Sequence, residues 1–263
     1  MKYLALGPAG MGIFSILGSL LYLKDQLHDV EEISGASAGS CIGLFLALEF
    51  EFQQIIDFFF EVEFLTHYKF NVKNFLNRYG FVDMSTTKDL FVEKIGFDPK
   101  FKDLKKKLHV AVYNLNYDRT EYFSVDTHPD MSVIDATFMS MSIPVIFTST
   151  KIKDIVYIDG GIFEKIPLTP FFNKDPKEIF GIEIDFLDSK NKTISNVKEF
   201  LFFIYRKCIR NCALTHNKSI YNILSIQQIE DISLLDFKMS NDDKLKLFFQ
   251  GYNTAFRHSG LTI

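Results

Sequence analysis

Five residues, Gly35-Ala36-Ser37-Ala38-Gly39, constrain this chain more than any other stretch. They set a serine among small residues, and an apolar run, Cys41-Ile42-Gly43-Leu44-Phe45-Leu46-Ala47-Leu48, follows at once. A short strand-like segment, Val30 to Ile33, precedes them. The order predicts a strand that turns sharply into a helix, with Ser37 at the apex. Such a turn has no room for large neighbours, and it strains the serine into exposing its hydroxyl. The helix N-terminus behind it offers unpaired N–H groups and the positive end of a dipole. Both suit an oxygen that is becoming negative.

The chain has 263 residues, 47% of them apolar, enough to bury one large core as a single α/β domain or two small domains. A formal net charge of −4 gives no electrostatic case for nucleic acid as the partner. Three cysteines, Cys41, Cys208 and Cys212, do not form a disulfide framework, and a reducing compartment is expected. Cys208 and Cys212 stand one helical turn apart, but no nearby His or Cys completes a metal site. Tyr3 to Leu23 carries no charge and is long enough to cross a bilayer. The cluster Gly7-Pro8-Ala9-Gly10-Met11-Gly12 divides it, so a strand, a tight loop and a buried helix describe it better. It lacks the basic opening and cleavage site of a secretory signal. A soluble, cytoplasmic protein is expected, with any membrane contact peripheral.

Strand and helix signals alternate along the chain. Tyr3 to Leu6 reads as a buried strand and Ile13 to Leu23 as a helix apolar all round. Gln53 to Phe64 reads as a Phe-rich helix, packed in the core rather than against a membrane. His109 to Leu115 and Glu121 to Val125 read as strands, Ser132 to Met141 as a helix stopped near Pro144. Val156 to Ile158 is a short strand ending at Asp159-Gly160-Gly161, and Ile179 to Ile184 is another. Ser195 to Leu214 reads as a helix, and Ser240 caps the last one. The expected fold is α/β: three layers, with helices on both faces of a central, mostly parallel sheet. Residues 1–185 form its core; residues 186–263 complete the same domain with helices and an edge strand. Lys105-Lys106-Lys107 reads as a solvated charged face.

A serine hydroxyl needs a base to become a nucleophile. The six histidines, His28, His67, His109, His128, His216 and His258, stand in no motif that marks a base. Asp159 is the stronger candidate. It ends a strand, where reacting groups of α/β sheets gather, and two glycines let the backbone turn away from its carboxylate. Partial burial beside a serine raises its proton affinity toward a useful range. The loop after the first strand supplies backbone donors for an oxyanion. It lacks the Gly-Lys-Ser/Thr of a phosphate-binding loop and fits a dinucleotide fingerprint poorly.

Taken in order, these segments resemble the patatin-like phospholipase family: a Gly-rich loop at 7–13, Gly-x-Ser-x-Gly at 35–39 and Asp-Gly-Gly at 159–161. Ser140-Met141-Ser142-Ile143-Pro144-Val145-Ile146-Phe147 and Gly161-Ile162-Phe163-Glu164-Lys165-Ile166-Pro167 extend the likeness, which covers residues 1–185 well. The resemblance implies a serine–aspartate dyad that cleaves lipid acyl esters, phospholipids among them, without histidine, metal or other cofactor. Ser37 matches the family's nucleophile and Asp159 its base. Ala9, Gly10 and Ala38 fall where oxyanion donors are needed. Gly7, Gly12, Gly35, Gly39, Gly160 and Gly161 are the motif glycines.

The loop departs from the family's Gly-Gly-Gly-x-Arg/Lys-Gly. Anchored on Gly18, Pro8, Ala9 and Gly10 occupy the three glycines and Gly12 the basic position. A shift by one would put Pro8, which has no N–H, at a donor position. The basic residue is missing in either register. Glu164-Lys165 also replace a frequent pair of asparagines. Two other readings stand beside the hydrolase: a patatin-like fold that binds lipid or protein without turnover, and a Ser-His-Asp esterase using His216 or His258.

Overall fold

The computed structural model describes residues 1–62, 71–185, 220–229 and 232–260, with the single positions 194, 197, 200 and 204. His67, Cys208, Cys212, His216 and nearly all of the helix expected over 195–214 lie outside the described residues.

Strand β1 (Tyr3–Leu6) lies at the centre of the sheet. It runs parallel to β2 (Glu32–Ala36) on one side and β9 (Ile179–Asp185) on the other. Beyond β9 lies β10 (Asn222–Gln227), and beyond β2 lies β4 (Lys107–Asn114), both still parallel. Past β4 the direction reverses. Strands β5 (Arg119–Phe123) and β8 (Ile155–Asp159) are antiparallel to β4, and β7 (Thr150–Ile152) is antiparallel to β8. The fold is thus an α/β sheet, mostly parallel and flanked by helices. Period-two alternation divides β1 between the two faces: Leu4 and Leu6 join the main core, Tyr3 and Ala5 a smaller core with Leu168, Phe171 and Ile179.

One edge of β4 carries two strands in succession. Glu32–Ala36 of β2 pair with Lys107–Ala111, and Asp159–Tyr157 of β8 pair with Val112–Asn114. The ends of β2 and β8 therefore abut, Ala36 opposite Ala111 and Asp159 opposite Val112. Residues 122 positions apart in the chain become neighbours through a strand that belongs to neither motif.

Helices α1 (Ile13–Tyr22), α2 (Ala38–Ala47), α3 (Phe52–Glu61), α5 (Ser85–Ile95) and α6 (Val133–Ser140) contribute buried residues to the main core. The Phe-rich run packs inward: the Phe45 ring lies 4.9 Å from Phe58 and 5.6 Å from Phe59 and Phe91. Each such ring removes 150–250 Å² from water, worth about 1.5–3 kcal/mol. Helix α7 (Asn241–Gly260) crosses α1, and Ser240 Oγ accepts the Asp243 N–H as its cap (3.2 Å). None of the described helices is long and apolar enough to cross a membrane.

One expectation shifts and one feature is new. Strand β2 runs to Ala36, beyond Ile33, because Gly35 and Ala36 still pair with Val110 and Ala111. A separate parallel pair, β3 (Gly80–Val82) with β6 (Val145–Phe147), carries the short helix α4 (Val72–Arg78). With Met84, Ile143, Leu235 and Phe237 this pair builds an apolar cap beside the main sheet.

Candidate active site

Ser37 sits between β2 and α2 at φ +52°, ψ −125°, a region that a residue with a Cβ rarely occupies. Its surroundings hold it there. The Ser37 N–H donates to Ser140 Oγ (2.8 Å), and the Ser140 hydroxyl donates to the Ala111 carbonyl (2.5 Å). The Ser37 carbonyl accepts from Ser40 Oγ (2.6 Å) and the Ser40 N–H (2.9 Å). The small residues of the motif are required by contact. A Cβ on Gly35 would lie 2.6 Å from Ser40 Cα, and one on Gly39 would lie 2.2 Å from the Leu6 carbonyl oxygen.

Asp159 closes β8, and its N–H donates to the Ser142 carbonyl (3.1 Å). Its carboxylate is fully buried and makes two hydrogen bonds. Oδ2 accepts the Ser37 hydroxyl at 2.7 Å, and Oδ1 accepts the Gly161 N–H at 2.7 Å. Burial pushes its pKa up to about 7, and these two hydrogen bonds only partly offset that rise. Cβ atoms on Gly160 and Gly161 would meet the Ala111 carbonyl at 2.1 Å and the Pro8 ring at 2.4 Å. The chain can follow Asp159 so closely only without side chains there.

The Gly-rich loop passes the same place. Gly7 donates to the Ile182 carbonyl (2.9 Å) and Gly12 to the Ala9 carbonyl (2.9 Å). Gly10 adopts φ +54°, natural for glycine. A Cβ at Gly12, where the family carries a basic residue, would sit 3.2 Å from Ile184 and 3.4 Å from Leu234. The loop is tied down from outside instead: the Met11 N–H donates to the Leu234 carbonyl (2.8 Å). That tether comes from a region in which the sequence shows no motif.

Beside Ser37 a small apolar cleft opens to solvent. Gly10, Ser37 and Ala38 line it, together with Met11, Cys41, Met84, Met141, Phe147 and Phe237. Ala9 is buried and is not among the residues lining this cleft. Burial pushes the Cys41 thiol up, so it stays neutral. Glu164, also buried, accepts from Leu168 and Thr169 N–H, from Thr169 Oγ1 (2.9 Å) and from the Tyr122 hydroxyl. It braces the segment that follows Asp159. Ser140, Leu234 and Glu164 are the supporting residues that motif reading overlooks. Ser140 and Glu164 lie inside matched stretches; Leu234 has no local signal.

The described histidines stand elsewhere. Neither Ser37 nor Asp159 bonds a described histidine. His258 pairs with Asn222 Oδ1 (2.6 Å) at the start of β10, the far end of the parallel strands. His109 pairs with Glu32 Oε2 (3.0 Å) at that same end. His258 is thereby set at the end of the sheet away from Ser37. Among the described residues no group of three His, Cys, Asp or Glu side chains could hold a metal ion.

The fold and this site define a class. Residues 4–172 match the patatin-like phospholipase family, and since that span exceeds half of the chain, the protein belongs to this family. Its relatives include a viral protein, R571 of Acanthamoeba polyphaga mimivirus, 28% identical over 97% of this chain and 92% of its own length. Another is the probable lipid hydrolase 463L of Invertebrate iridescent virus 6, 24% identical over 95% of this chain and 85% of its own. Among solved structures, VipD from Legionella pneumophila superposes with a TM-score of 0.61 at 14% identity, covering 98% of this chain and 66% of that one. The type III effector ExoU superposes with 0.55 at 15% identity, covering 98% and 52%. The chain spans about two thirds of the first and half of the second, and at such identities the likeness concerns the fold.

Proposed function

We propose that this protein hydrolyses fatty acyl esters of phospholipids or related lipids, with Ser37 as nucleophile and Asp159 as base. The observation that carries the reading is the 2.7 Å hydrogen bond from Ser37, which lines an apolar cleft, to Oδ2 of the buried Asp159 behind it. It is supported by family membership and by the iridovirus relative whose name denotes a probable lipid hydrolase.

The acyl chain lies in the cleft and brings the ester carbonyl to Ser37. Ser37 Oγ attacks the carbonyl carbon as its proton passes to Asp159 Oδ2. The carbonyl oxygen becomes an anion at the N-terminus of α2, where the N–H groups of Ala38 and Gly10 stabilise it. The tetrahedral species collapses: the alcohol leaves with the proton from Asp159, and the acyl group stays on Ser37. Water then delivers a proton to Asp159 and attacks the acyl carbon, and Ser37 regains its proton as the fatty acid departs. A carboxylate with a pKa near neutrality suits both directions of this transfer.

One observation favours a lipid-binding protein without turnover, the absent basic residue in the loop. Against it stands the Leu234 tether, which holds the loop in another way. Purified protein is assayed on a short-chain nitrophenyl ester and on phospholipid vesicles, beside Ser37→Ala and Asp159→Asn. Hydrolysis by the wild type alone supports the enzyme; equal signals from all three proteins reduce it to a binding module.

A further inference from the structure

Helix α4 and the residue that ends it expose three large apolar side chains. Phe75 faces inward and stacks on Phe81, rings 4.5 Å apart and 6° from parallel. Val72, Leu76 and Tyr79, spaced four and three residues apart, point out and are 64%, 71% and 57% exposed. The helix is firmly placed. Asn71 caps it by accepting the Lys73 N–H (2.9 Å), and the Asn71 N–H donates to the Phe81 carbonyl (3.1 Å). At its other end Ser149 bonds the Arg78 carbonyl through both N–H and Oγ. Tyr79 then occupies the left-handed conformation, φ +59°, where glycine is the natural residue. A large aromatic is kept there at a conformational cost, with most of its surface in water.

The location gives this surface a meaning. Helix α4 rests on β3, which belongs to the cap, and Met84, Ile143, Phe147 and Phe237 of that cap line the cleft above Ser37. The apolar outside of α4 is thus one layer removed from the apolar cleft. Three side chains of this size expose roughly 300–400 Å², against about 800 Å² that each partner of a standard protein interface buries. Inserted into the acyl boundary of a membrane, the same three need no complementary partner, and Lys73 on the helix meets head-group phosphates. The sequence offers Lys105-Lys106-Lys107 as a head-group contact. Those lysines sit at the opposite end of β4, where Lys106 bonds the Leu27 carbonyl (3.0 Å) and Lys107 pairs with Asp126 (2.5 Å).

We propose that α4 is the membrane-docking element of this protein, with Val72, Leu76 and Tyr79 entering a phospholipid bilayer and setting the cleft against its surface. The proposal rests on the reading of the protein as a lipid hydrolase, but its test does not require turnover. The Ser37→Ala protein is floated with vesicles of phosphatidylcholine, and of phosphatidylcholine mixed with phosphatidylserine, alone and with Leu76→Ser, Val72→Ser or Tyr79→Gly added. Each addition is expected to lower the vesicle partition coefficient by about tenfold. Tyr79→Gly decides between docking and folding, since glycine relieves the backbone and leaves the melting temperature unchanged or higher. In the protein with Ser37 intact, the same substitutions leave hydrolysis of the soluble nitrophenyl ester unchanged and lower hydrolysis of vesicle lipid. Partition unaffected by all three substitutions, or absent from the start, overturns the proposal. So does light scattering that shows a dimer dissociated by Leu76→Ser, which would make this face a contact between two chains. A wild type inactive on the soluble ester would strike the hydrolase reading and leave the flotation result standing.

Discussion

The two ends of β2 each meet a carboxylate, and the two carboxylates differ in what surrounds them. At the start of the strand, Glu32 accepts from Lys174 Nζ (2.6 Å) and His109 Nε2 (3.0 Å), with Lys107 Nζ at 3.9 Å. Burial pushes its pKa up, but hydrogen bonds from Lys174 and His109 and the nearby positive charge outweigh it, and the net direction is down. At the end of the strand, Asp159 is buried completely and receives only neutral donors, the Ser37 hydroxyl and the Gly161 N–H. Burial wins there, and the pKa rises to about 7. A carboxylate held by cations stays charged and braces the fold. One held by neutral donors gives and takes a proton near neutral pH, as a catalytic base must.

The largest effect expected at the Asp159 end is loss of chemistry. Ser37→Ala or Asp159→Asn should lower kcat/KM for the nitrophenyl ester by about a thousandfold or more. Both variants should remain folded by circular dichroism. An Asp159→Asn enzyme within tenfold of the wild type breaks the comparison outright.

The pH profile sharpens it. Only the carboxylate form of Asp159 can accept the Ser37 proton, so kcat/KM should fall tenfold per unit as pH drops below about 7. Stability runs the opposite way. A folded pKa above the unfolded value near 3.8 means that the folded state holds its proton more tightly. The protein is therefore favoured below about pH 4 and loses that advantage as pH rises through about 7. The gap is worth about 4 kcal/mol. Thermal melts at pH 8 should show Asp159→Asn to be more stable than the wild type; an unchanged or lower melting temperature contradicts the raised pKa. Glu32 has the reverse sign. Its folded pKa is lowered, so its contribution is present above the ordinary value of 4.5 and vanishes as the solution is acidified through the folded pKa.

Ser140→Ala leaves the Ser37 N–H and the Ala111 carbonyl without their shared hydroxyl. A cost of about 1–3 kcal/mol in stability follows from two buried groups left unpaired. The same change should lower kcat by about tenfold with little effect on KM, because the strained turn relaxes. At the Glu32 end, Lys174→Met should cost about 1–2 kcal/mol in urea melts and leave kcat/KM within twofold. Smallest of all, His258→Ala should leave kcat/KM unchanged; a large loss there would reopen the histidine triad.

Much of this was readable in the chain because the demands are local. Tyr3–Leu6 is a buried strand and Ile13–Tyr22 a buried helix, each within a residue of its sequence pattern. Ser240 caps the final helix as its spacing with Asp243 suggests. Strand β2 ends later than its apolar run because Gly35 and Ala36 pair with β4, and pairing is not a property of the segment itself. Strands β3 and β6, three residues each, are too short to show a period. Strand β10 does alternate, with Leu224 and Ile226 buried and Ser225 and Gln227 exposed, but nothing local says that it joins β9. The Gly-rich loop was legible in position and in its missing cation, whereas its tether to Leu234 was not.

The sequence by itself determined the serine turn, the aspartate at a strand end, the order of the three motifs and the inward packing of the Phe-rich helix. Each follows from steric room at glycine, from periodicity, or from the cost of leaving apolar side chains in water. Tertiary structure alone decided that Ser37 and Asp159 touch, because the meeting depends on β2 and β8 sharing one edge of β4. It alone decided that Asp159 titrates near neutrality while Glu32 stays charged, since a carboxylate's proton affinity is set by neighbours that fold around it. It alone left Val72, Leu76 and Tyr79 facing water, a property of which side of a short helix the cap had already claimed.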